Sequence, residues 1–208
     1  MPNISHGEKF NAITHLIGAV LAVAGAIVMI VMTSLTGDMW KITSAAIYGA
    51  SLVMLYLFST LYHSLHGRAK RIMRELDHGS IYLLIAGTYT PICLVTLRDS
   101  WGWILFGVIW GLAVFGCLQE LWSRNGSRKL SLVIYMVMGW VGVIPAIQIY
   151  HALGLACMLW LAIGGLLYSI GIIFYILGRR RPYAHGIWHL FVLAGSAAHY
   201  IAIVHYVL

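Results

Sequence analysis

His185 and His189 stand four residues apart, so a helix that carries them presents both on one face, and Ser59 and His63 repeat that spacing. Three neutral imidazoles with a fourth position open make up the ligand set of a catalytic zinc site. A carboxylate and a hydroxyl beside such a set can orient its water; Asp77 and Ser59 are the candidates. This chemistry requires that helices far apart in sequence bring His63, Asp77, His185 and His189 to one place. Whether they can meet depends on which elements carry them, and at what depth.

The 208 residues are 61% hydrophobic and 9% charged, against roughly 25% charged in an average soluble domain. A soluble fold of this size cannot hide so much apolar surface, because its exterior must still be wetted. Lipid as the solvent removes the difficulty. The net charge of +7 does not indicate nucleic acid: the basic residues sit in short gaps between apolar runs, without a continuous basic, aromatic-interleaved stretch. Cys93, Cys117 and Cys157 are isolated within apolar runs and read as helix packing rather than as disulfides or thiolate ligands.

Seven apolar runs are long enough to span a bilayer, roughly 12–33, 41–66, 77–97, 101–121, 130–150, 153–177 and 186–207. The sequence therefore predicts an all-α integral membrane protein: one seven-helix domain, multi-pass, in an inner or plasma membrane. The first run opens on polar residues and has no clear cleavage site, so it reads as a retained helix. Gaps at Arg98–Ser100 and His151–Ala152 predict tight hairpins. Lys9, Arg68, Lys70, Arg71, Arg74, Arg124, Arg128, Lys129, Arg179, Arg180 and Arg181 fall on one side, and only Lys41 and Arg98 on the other. By the positive-inside rule the N-terminus is cytoplasmic and the C-terminus outside. Trp40, Trp101 and Trp103 lie at predicted outer ends, as interfacial aromatics do. Gly18-Ala22-Ala26, Gly107-Gly111 and Gly142-Ala146 have helix-contact spacing. Pro145 is expected to kink the fifth helix, and the run Gly87-Thr88-Tyr89-Thr90-Pro91 to bend the third.

This topology puts Ser59, His63, Asp77, His185 and His189 in the inner leaflet, from three helices, with Asp77 at the start of the third and His185 in the first turn of the seventh. Ionisable groups at such depth are functional candidates. Glu8, Asn11 and His15 share a face at the start of helix one, either as an interfacial capping cluster or as a wall of the same cavity. His78 and His66 read as interfacial. His199, roughly 15 Å deeper than His189, is too far away to share its metal and reads as an interhelical hydrogen bonder.

Taken together, Glu8-x-x-Asn11-x-x-Thr14-His15, Ser59-x-x-x-His63, Asp77-His78 with the following Ile81-Tyr82-Leu83-Leu84-Ile85-Ala86-Gly87-Thr88-Tyr89-Thr90-Pro91, and His185-x-x-x-His189 resemble the hemolysin III family. These are bacterial members of the progestin and adipoQ receptor group, distantly related to alkaline ceramidases, and the resemblance covers essentially the whole chain. It implies seven spans with the N-terminus inside, Zn2+ held by His63, His185 and His189, and Ser59 and Asp77 beside the metal's water. It also implies, less directly, hydrolysis of lipid amides.

Two classes of function are expected. One is a zinc-dependent intramembrane hydrolase of a ceramide-like lipid amide, with Asp77 moving the proton and Ser59 hydrogen-bonding the water or oxyanion. The other is non-catalytic: a structural zinc in a sensor or regulator of membrane lipid state, or a pore-forming cytolysin. A pore needs a polar stripe along whole helices, and the outer halves read as nearly all apolar. The expected partners are membrane lipids and a lipid amide substrate, with no nucleic acid.

Overall fold

Backbone polar groups in hydrocarbon must satisfy one another, which a helix does within one segment. The computed structural model describes residues 6–122, 128–178, 180–181 and 183–208. Its helices are α1 (His6–Thr36), α2 (Met39–Ser64), α3 (Gly67–Pro91), α4 (Gly102–Trp122), α5 (Lys129–Trp140), α6 (Ala146–Leu177) and α7 (Ala184–Tyr206). A π-helical turn (Ile92–Thr96) follows α3, and one 3₁₀ turn (Val141–Val143) follows α5. No strand occurs among the described residues. Six described helices are long and apolar enough to cross a membrane, and Lys129–Val143 is a shorter apolar segment. Arg124, Arg179 and Pro182 lie outside the described residues.

The third helix starts earlier than its hydropathy predicts. Leu65 and His66 alone separate it from α2, and Gly67, at φ 61°, supplies the left-handed turn. Arg68, Lys70, Arg71 and Arg74 therefore ride on the first turns of α3 rather than in a loop. Asp77 lies in the third turn, not at the helix start. A hydropathy window cannot see turns that carry four basic side chains, although their backbone is helical.

The expected bend near Pro91 is a change of winding. Thr88 and Thr90 donate to the carbonyls of Leu84 and Ala86, and past Pro91 the chain widens so that Leu97 N–H reaches Ile92 O at 2.9 Å.

The fifth helix, expected over 130–150, is broken rather than kinked. Regular helix stops at Trp140 and resumes at Ala146, because Pro145 has no N–H to continue the ladder. Tyr89 closes the gap: its hydroxyl donates to Gly139 O and accepts from Gly142 N–H, each at 3.0 Å. The tight turn expected at His151–Ala152 is displaced to Gly154, where φ 77° and ψ 175° interrupt α6. Trp140 Nε1 donates to Ser169 Oγ at 3.1 Å, so chain on either side of Gly154 is in contact.

Two buried clusters hold the bundle. One lies between α1, α2 and α7 around Tyr48, Leu52 and Ile203, and the other between α3, α4 and α5 around Tyr82, Ile109 and Met138. Gly18 admits Tyr56, and Gly49 lies against Ala26, as the small-residue spacing suggests. Gly107 and Gly111 do not follow it: a Cβ at either would meet nothing within 4 Å. In the half of α2 away from the histidines, Ser44 and Tyr48 are fully buried. The exterior is lined with residues such as Ile13, Leu35, Ile104 and Ile147. At the end away from the histidines, Trp40 and Trp103 meet edge to face at 5.8 Å, with Arg98 over the Trp40 ring.

Candidate metal centre

The i, i+4 spacing of α7 turns His185 and His189 the same way, and the last turn of α2 brings His63 to them. Pairwise ring separations are 5.2, 5.0 and 4.8 Å, and the planes are tilted by 58°, 64° and 60°. The rings thus converge like three blades, with one ligand nitrogen from each within 4.8 Å of the others. His63 and His189 are buried, and His185 is half-buried.

Partners on the far side of two rings fix which nitrogen is free. His63 Nδ1 faces Glu8 Oε2 at 2.9 Å. A carboxylate only accepts, so Nδ1 carries a proton, and in the neutral ring Nε2 keeps its lone pair. His189 Nδ1 lies 3.2 Å from Asn11 O, again an acceptor, and 3.3 Å from Thr14 Oγ1. The Nε2 atoms of His63 and His189 are both buried without a hydrogen-bond partner. A buried acceptor left unmatched is costly, and a soft-to-borderline cation is the partner two or three such lone pairs fit. The residues present therefore suit zinc.

Glu8, Asn11 and His15 all touch the histidine cluster, Glu8 through His63 and the other two through His189. Glu8 also binds Lys70 Nζ at 3.0 Å, and His15 stacks on His189. The approach of α1 depends on Gly186, between the two α7 histidines. A Cβ there would lie 2.2 Å from the Phe10 ring and 3.0 Å from Asn11 Oδ1.

Asp77 and Ser59 are both buried, and Ser59 and His63 lie within electrostatic reach of the Asp77 carboxylate. Asp77 also lines a cavity of about 240 Å³ that runs along the Asp77-Ile81-Leu84-Thr88-Ile92 face of α3. That face is roughly 22 Å long at the helical rise, and beyond the Asp77 end it is almost wholly apolar. His78 is not interfacial as expected: it is buried, with Arg128 bonded to its Nδ1 and Tyr135 Oη donating to its carbonyl at 2.9 Å. Arg128, counted in the sequence only as a topological charge, lines the cavity beside Asp77. It went unnoticed because a basic residue at a helix start carries no sign of what it faces.

Glu75, His78 and Glu120 form a second group with ligand atoms within 4.8 Å. Arg128 can only donate, so His78 Nδ1 accepts and its Nε2 carries the proton. That leaves no imidazole lone pair for a cation, and the group reads as a hydrogen-bonded cluster. His199 donates from Nε2 to Leu161 O at 3.1 Å, joining α7 to α6. The three cysteines are free thiols, Cys93 and Cys157 buried and Cys117 partly so.

Fold and site define a class: a multi-pass helical membrane protein with a buried histidine cluster drawn from α2 and α7 and braced by α1. Residues 3–200 match the family described as Haemolysin-III related, and the chain belongs to that family. It is 44% identical over 203 residues to Hemolysin-3 of Bacillus cereus, covering 97% of this chain and 92% of that one. It is 30% identical over 204 residues to the human monocyte to macrophage differentiation factor, covering 93% and 81%. The Drosophila melanogaster adiponectin receptor protein is 27% identical over 231 residues, covering 94% of this chain and 49% of that one.

Proposed function

We propose that this protein is a zinc-dependent hydrolase of lipid amides, with its site in the cytoplasmic half of the bilayer. The observation that carries this is the pair of buried, unpartnered Nε2 atoms of His63 and His189, with His185 in reach. His63, His185 and His189 would hold the zinc. Zinc in such a site supplies Lewis acidity toward a carbonyl and acidifies water.

The chain's own groups do the rest. Asp77, beside His63 and at the head of the apolar cavity, accepts a proton from the attacking water and returns it to the amide nitrogen as the C–N bond breaks. Ser59 orients the Asp77 carboxylate. The acyl chain lies along α3, where the cavity is apolar. Arg128 adds positive charge at the head of the cavity, where the amide and headgroup would sit.

The topology that goes with this reading has seven crossings, with α5 and the stretch up to Gly154 forming one broken span and the rest of α6 the next. The N-terminus is cytoplasmic. What supports that side is the gathering of Lys9, Lys70, Arg74 and Arg128 at the histidine end, away from Lys41 and Arg98.

The test is metal content per chain, followed by turnover of a fluorescent ceramide in detergent with and without chelator. About one zinc, lost together with turnover in His63→Ala and His189→Ala, is expected. Folded protein that holds no zinc overturns the proposal. Zinc without turnover of any lipid amide leaves a structural metal that ties α2 to α7.

A further inference from the structure

We propose that His15 is a positioning residue for the metal centre, fixing the plane of the His189 ring by face-to-face stacking. The inference rests on the zinc reading above. The two rings lie 3.6 Å apart, centroid to centroid, with planes 14° from parallel. The three candidate ligand rings instead meet at steep tilts, so this stack is a different kind of contact. His15 is 2% exposed, and neither of its nitrogens has a hydrogen-bond partner. Its polar edge is therefore unused, and what it gives its neighbour is a flat face.

His189 needs that face. Its Nδ1 contacts to Asn11 O and Thr14 Oγ1 are long, at 3.2 and 3.3 Å. Contacts to a single ring atom locate that atom but leave the ring free to rock about it, which swings Nε2 on the opposite side. A ligand nitrogen must be held to within roughly 0.5 Å and 10–20°. A second ring laid flat against the first removes the rocking.

The support continues behind His15. Tyr56 meets it edge-on at 5.1 Å and 89°. Tyr56 is itself pinned, with its hydroxyl donating to Ser196 Oγ at 2.7 Å. Gly18 makes room for it: a Cβ there would come within 2.5 Å of Tyr56 Cδ1. Gly18, Tyr56, His15 and His189 thus form one column through α1, α2 and α7. Thr14 and His15, adjacent on α1, serve the edge and the face of the same ligand ring.

The experiment compares full-length wild type, His15→Ala and His15→Phe. Zinc affinity is measured by competition with a chromophoric chelator, and the visible spectrum of the cobalt-substituted protein reports ligand orientation. Loss of the face in His15→Ala should weaken zinc by about tenfold or more and alter the cobalt bands. His15→Phe keeps a face and discards the nitrogens, so it should bind within about threefold of wild type with an unaltered spectrum. His15→Ala that binds like wild type overturns the proposal, as does His15→Phe that loses as much as His15→Ala. Wild type that holds no zinc overturns the underlying reading, and this role with it.

Discussion

Asp77 and Glu8 are the two carboxylates at the centre, and their surroundings differ. Asp77 is buried and faces the cavity, whereas Glu8 is about a third exposed and bridges His63 and Lys70. Asp77→Asn should keep zinc and abolish lipid amide turnover, measured as metal content and product release on the same preparation. Glu8→Ala should cost the fold about 1–3 kcal/mol, since it leaves the buried His63 Nδ1–H without its acceptor. It should also weaken zinc roughly tenfold, because His63 loses the acceptor that holds its tautomer; chelator competition checks this. At this scale the sequence was informative wherever spacing coincided with depth. Ser59 with His63, and His185 with His189, are four apart and beside basic gaps. Glu8, Asn11 and His15 were legible only as a shared face, since nothing in a sequence says which neighbour that face will meet.

The helices bring these side chains together through a few small residues. Gly186→Val should push α1 off α7, because even a Cβ clashes with Phe10. The expected outcome is loss of zinc binding together with a lower thermal midpoint. Gly154 is needed for a different reason: nothing lies near its missing side chain, but φ 77° with ψ 175° is a region nearly closed to other residues. Gly154→Ala should destabilise by about 1–3 kcal/mol without touching the metal affinity, and thermal unfolding in detergent would measure it. Hydropathy located most of the helices, because length and apolarity are what lipid demands. It missed the early start of α3, whose first turns are basic, and the break in α5. The first depends on the Gly67 dihedral and the second on Pro145 and Tyr89, which apolar content does not encode.

For the whole molecule, the side of the membrane is the property most open to direct test. The native cysteines are buried or partly buried. After their replacement by Ala, single cysteines at Lys9 and at Asp99 should react with an impermeant maleimide from opposite sides. Lys9 should label only in inverted vesicles. Labelling of both from one side would overturn the proposed orientation. The one-sided distribution of charge was readable from the chain alone; the number of crossings was less so, because a broken helix and an unbroken one have the same composition.

Asn11 and His189, which meet at the centre, are separated by 178 positions along the chain. Synthesis proceeds from the N-terminus, so α2 and α3 can pair while α7 is still unmade. Until the last helix enters the bilayer, two of the three imidazoles do not exist in the nascent protein. If the three imidazoles hold zinc as proposed, its acquisition is a late event that marks the moment at which the first helix and the last close on each other.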